Sequence, residues 1–123
     1  MFSVQPKPIT FLPVFAQMLR GLVQNTQDQY ESLLNAHTRP YVLDDQLVEQ
    51  LLKLYRSQQQ DESLWKKQLD LWQDLTLTES QRREINNLAG QAERLTDLNQ
   101  KVLDLVESLT PHTMNKLLAQ DEA

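Results

Sequence analysis

Between Thr78 and Leu109 one set of positions recurs at alternating steps of three and four: Ile85, Leu88, Ala92, Leu95, Asn99, Val102, Val106 and Leu109. Only a helix gathers such positions on one side, because its 3.6-residue turn returns each to the same face, whereas a strand alternates at every second residue. A seam of this length must be covered by other helices, from the same chain or from another copy. The rest of the chain is made of the same material. It has 2 Gly and 5 Pro against 23 Leu and 16 Gln, so residues that punctuate sheets and long loops are scarce and good helix formers dominate. The expectation is an all-α fold: one domain over residues 1–123, a bundle of three long helices plus a short C-terminal helix.

Residues 1–9, with two prolines, read as an N-terminal arm. Thr10 is placed to cap a first helix that tolerates Pro13 in its opening turn and carries Phe15, Leu19, Leu22, Val23, Thr26, Tyr30, Leu33 and Leu34 to an end near Ala36. His37 to Pro40 form a connector, since the residue before proline is driven out of the α region. Asp44 suits the N-cap of a second helix whose apolar stripe holds Leu47, Val48, Leu51, Leu52, Leu54 and Tyr55. That stripe lapses at Ser57 to Gln60, after which Asp61 can cap a renewed helix. Nothing in the glutamine run forbids one continuous helix, so a break near Gln58–Gln60 and an uninterrupted element both remain open. Thr78-Glu79-Ser80-Gln81 is a capping box that starts the third helix, and Thr110-Pro111 opens a short fourth one with Met114, Leu117 and Leu118. Residues 119–123 read as a frayed tail.

Twelve basic against seventeen acidic residues give a net charge of −5. The doublets Lys66-Lys67 and Arg82-Arg83 each lie beside acids, and such a surface repels a phosphate backbone, so no nucleic-acid partner is expected. No apolar run approaches the roughly 20 residues that a membrane-spanning helix needs, and no signal-peptide pattern is read at the start. A cytoplasmic location is the default. The absence of cysteine removes disulfides, thiolate metal sites and cysteine nucleophiles.

No motif for catalysis, a cofactor or a metal stands out. Di-metal bundles need Glu-x-x-His on their helices, and neither His37 nor His112 has Glu three residues earlier. Gly-rich phosphate loops, EF-hands and His-Glu-x-x-His are lacking as well. The acid pairs Asp44-Asp45 and Asp61-Glu62 stand where helices are expected to begin, where negative charge favours the dipole. A non-enzymatic protein without cofactor is therefore expected, while a site assembled from residues distant in sequence, in a cryptic enzyme or a ligand-binding bundle, stays invisible at this level.

Two features are candidates for contact with a partner. Asn99 falls at an a position of the third-helix heptad, where a buried amide can set register and partner number; the alternative is an amide bonded within one chain. Leu98, Leu103 and Leu105 occupy flanking positions that a simple two-stranded coil would fill with charge, which favours a bundle. The second feature is the face of Trp65, Leu69 and Trp72, extended by Leu64, Leu71 and Leu75 opposite Lys66, Lys67, Asp70, Gln73 and Asp74. It suits a bundle core, a partner-binding surface or an apolar interface.

Trp65, Gln68, Leu69, Leu71, Trp72 and Gln73 form a Trp, Gln and Leu-rich stretch that resembles the N-terminal, non-catalytic region of polyhydroxyalkanoate synthases. The resemblance spans about a tenth of the chain. It implies a helical accessory protein, similar in role to phasins, that adheres to an apolar storage granule or to the synthase. It carries over no catalytic residue, because the synthase nucleophile is a cysteine and this chain has none. The leading expectation is a helical protein acting through protein–protein contacts and self-associating as a homo-oligomer.

Overall fold

The computed structural model describes residues 6–39 and 42–122, and among them it is helical throughout, without strands. Three long helices, α1 (Leu12–Ala36), α2 (Asp45–Gln73) and α3 (Glu79–Leu109), are followed by the short α4 (Met114–Glu122). The expected ends at Ala36 and Leu109 are where the chain leaves its helices. Met1 to Gln5, Pro40, Tyr41 and Ala123 lie outside the described residues, and with them parts of the arm, connector and tail named above.

The caps follow local chemistry. The Asp44 carboxylate accepts from the Leu47 amide at 2.7 Å and satisfies one of the donors a helix start leaves free. At Thr78 both halves of the capping box form, with Gln81 N donating to the Thr78 hydroxyl at 3.1 Å and Thr78 N donating to Gln81 Oε1 at 2.9 Å. Two local expectations, at Thr10 and Thr110, are corrected, and the alternative left open at the glutamine run is decided. Thr10 does not cap α1 but lies in a 3-10 turn, Ile9–Phe11, and α1 starts at Leu12 without a side-chain cap, Pro13 falling where its missing N–H costs nothing. The glutamine run interrupts nothing: α2 is one helix of 29 residues, so Asp61 is interior and no cap. Thr110-Pro111-His112 is a 3-10 turn, and α4 begins only after Thr113.

Paired contacts give the directions. Phe15 stacks edge-on against Trp72 with centroids 5.2 Å apart, and Gln58 reaches Thr26, so α1 and α2 are antiparallel. Arg56 pairs with Glu107 and Gln59 with Gln100, so α2 and α3 are antiparallel too. Arg20 meets Glu84 and Arg94 meets Gln27, which sets α1 and α3 side by side in parallel. Along its length α3 packs on both other helices, while the α1 and α2 backbones come close at isolated points at most. Large side chains, Phe15, Trp65 and Trp72, fill the space between those two.

The core consists of two apolar clusters. One, at the end where α1 and α3 begin, holds Phe15, Leu19, Trp65, Trp72, Ile85 and Leu88 among others; the other, toward the end of α3, holds Leu33, Val48, Leu51, Tyr55, Val102 and Val106. Burial keeps the phenol of Tyr55 above its ordinary pKa. The heptad seam of α3 is the spine of both clusters, and Leu98 and Leu103, at its flanks, are buried as well. A helix apolar over so wide an arc fits a bundle rather than a two-stranded coil.

Candidate functional site

Thr26 of α1, Gln58 and Glu62 of α2 and Asn99 of α3 meet between the two apolar clusters and form a polar layer across the bundle. Asn99 Nδ2 donates to Glu62 Oε1 at 2.6 Å, and Gln58 Nε2 donates to Thr26 Oγ1 at 3.0 Å and to Asn99 Oδ1. Asn99 is 0% exposed, Thr26 1% and Glu62 8%, so each bond replaces one that water cannot supply. The arrangement uses both ends of the Asn99 amide inside one chain. This is the intrachain alternative for Asn99, whose amide is buried away from any second copy. Glu62 is the acid of this layer, and Thr26 contributes its hydroxyl.

Trp65, Leu69 and Trp72 are 3%, 2% and 1% exposed, so of the three settings considered for this face the chain uses it as core. Leu71 and Leu75, which extend the same apolar arc, are 39% and 46% exposed and lie outside its buried part. The two indoles differ in their hydrogen bonding. Trp72 Nε1 donates to the Lys7 carbonyl at 2.9 Å, where Gln68 adds a reciprocal pair: Lys7 N donates to Gln68 Oε1 at 2.7 Å, and Gln68 Nε2 donates to the Lys7 carbonyl at 3.4 Å. This clamp ties the arm to α2 at Lys7. The Trp65 indole N–H is buried without a hydrogen-bond partner.

Among the grooves of the described surface, two adjoin α1. The larger, about 800 Å³, runs between the first turns of α1 and α3, where Arg20 bridges to Glu84 at 2.6 Å and donates to Asn87 at 3.0 Å. Arg20 is the one cation lining that groove, and its Nη2 is engaged by those neighbours. The smaller, about 290 Å³, lies between α1 and α2 and is lined by Met18, Leu22, Leu54, Asp61 and Trp65 among others. Among the described residues no group of three or more His, Asp or Glu side chains is placed to hold a metal ion, and no helix is long and apolar enough to cross a membrane.

The short C-terminal helix is held from its root. Thr113, fully buried, donates to Asp45 Oδ1 at 2.6 Å, Met114 N donates to the Leu43 carbonyl at 2.8 Å, and Asp45 N donates to Asn115 Oδ1 at 2.9 Å. The apolar residues of α4 are left outside, with Met114 43%, Leu117 44% and Leu118 53% exposed. Sequence reasoning had no signal for Thr113 or Gln58 as structural polar residues, because their partners lie 68 and 41 positions away. The chain matches no protein-family model, no curated protein and no solved structure.

Proposed function

We propose that this chain is a non-enzymatic helical-bundle protein that acts through protein–protein contacts and self-associates. The observation that carries this reading is the row of leucines α2 leaves exposed beside its groove with α1. Leu47, Leu54 and Leu71 are 39%, 55% and 39% exposed, although the chain has enough polar residues to cover that flank. Exposed apolar side chains that recur along one helix flank are material for an interaction site. Sedimentation equilibrium of the full chain across a wide concentration range tests the reading. Association with a defined stoichiometry is expected, and a monomer at every concentration overturns it.

A second reading rests on α4. Met114, Leu117 and Leu118 give this short amphipathic helix an uncovered apolar side suited to an apolar surface such as a storage granule. Co-sedimentation with polyhydroxyalkanoate particles, lost on changing Leu117 and Leu118 to Ser, is the expected result; retention of binding by that variant rejects α4 as the anchor.

A further inference from the structure

Leu47, Leu54, Leu64 and Leu71 share one flank of α2, spaced so that the stripe reads the same in both chain directions. Leu47 and Leu71 each stand twelve residues from Gln59, and Leu54 and Leu64 each stand five from it. The alternating steps of three and four that link these positions through Gln50, Ser57, Asp61 and Gln68 make them a and d positions of a heptad distinct from the core-facing one. In an antiparallel helix pair each a position faces a d position of the other helix. A stripe with this symmetry is therefore complementary to itself across a two-fold axis. Resting on the self-association proposed above, we infer that α2 of one copy packs antiparallel on α2 of a second copy about an axis near Gln59. Leu47 then lies opposite Leu71 of the second copy, and Leu54 opposite Leu64.

Three observations commit the occupant to a second copy. The first is the two-fold pattern itself, which no unrelated partner requires. The second is charge: the neighbouring flank of α1 offers Met18 and Leu22, and Asp61 is the one ionisable residue lining the groove, in a chain that is 24% charged, while Glu49, Lys53 and Arg56 border the stripe on its outer side as a charged rim. Depletion of charge is what distinguishes the centre of an interface from ordinary surface. In this alignment Asp61 faces Ser57 of the second copy, whose hydroxyl can donate to its carboxylate. The third is area. A helix of 29 residues is about 43 Å long, and with the α1 flank the strip is about 20 Å wide, or roughly 860 Å² per copy, close to the ~800 Å² per partner of a standard stable interface. At one end of the stripe Gln68 is covered by Lys7, so there the second copy meets the arm.

Sedimentation velocity and directed cross-linking on the full chain test this. The wild-type chain is expected to sediment as a dimer at twice its 14.4 kDa mass. The double variant Leu54→Glu/Leu64→Glu is expected to sediment as a monomer while keeping its helical circular dichroism. Because the chain is free of cysteine, Leu54→Cys and Leu64→Cys proteins can be mixed and oxidised. Disulfides between unlike variants should dominate, since like residues lie about 15 Å apart along the helix axis in this pairing. A monomeric wild type overturns both the self-association and the seam. A dimer that survives the glutamate pair, or that cross-links like residues, overturns the seam and leaves self-association standing. If the glutamate variant fails to fold, the cross-linking pattern decides alone.

Discussion

Replacing Asn99 by leucine removes both of the bonds that hold the polar layer to α3. The Asn99 amide donates to a buried carboxylate, an interaction of about 1.5–3 kcal/mol, and accepts from Gln58, a neutral bond of about 0.5–1.5 kcal/mol. Leucine in the same space recovers about 1.5 kcal/mol by burying apolar surface. The balance is a loss of about 0.5–3 kcal/mol, because Glu62 is left at 8% exposure without its donor while Gln58 keeps Thr26. For a chain of this length the melting temperature should fall by roughly 4 °C for each kcal/mol. The molecular mass should stay that of the wild type, since the amide is turned inward. Exchanging Glu62 for leucine as well removes the orphaned carboxylate, so Asn99→Leu/Glu62→Leu should be more stable than Asn99→Leu alone, with a coupling of at least about 1 kcal/mol in the double-mutant cycle. Denaturant titration of the four proteins, with light scattering for mass, supplies every quantity. A more stable Asn99→Leu, or a coupling near zero, would refute the account of the layer as a closed intrachain network.

The two indoles should separate under substitution by phenylalanine: Trp72→Phe removes the nearer donor to the Lys7 carbonyl and should cost about 1–2 kcal/mol more than Trp65→Phe, whose indole N–H has no partner to lose, while either residue changed to Ala should cost about 3–5 kcal/mol in urea titration. Tyr55 contributes to behaviour in alkali. Its raised folded-state pKa means a contribution fully present below the unfolded value near 10 and lost as pH rises through the folded value, so Tyr55→Phe should flatten that part of the stability profile above about pH 10. Gly90 sits exposed inside α3 with open space where a Cβ would go, and Gly90→Ala should raise stability by about 0.5–1 kcal/mol in thermal or chemical melts.

The parts of the fold legible in advance were those whose causes are local. The α3 heptad, the Thr78 capping box, the Asp44 cap and the ends of α1 and α3 depend on residues within about one turn of each other, so the sequence lays cause and effect side by side. Thr10 and Thr110 were also read locally and were displaced, because a 3-10 turn shifts the helix start by a few residues without altering the signal.

By itself, the chain's composition and periodicity determined that it is helical, where α3 begins and ends and where α1 ends, and that the α3 seam must be covered. Only the tertiary structure decided what covers it. Leu69 and Leu71 are the same residue type two positions apart on one helix, yet one is 2% and the other 39% exposed. Periodicity alone drew too wide an arc for α2, because it cannot say how far apart the neighbouring helices stand. The continuity of α2 through its glutamines was decided in the same way: Gln58 finds Thr26 and Asn99 on two other helices, and those bonds, across 32 and 41 positions of sequence, stabilise a helical turn that shows no apolar signal of its own. A buried amide is satisfied by whatever the fold brings beside it, and that neighbour is written nowhere near it in the sequence.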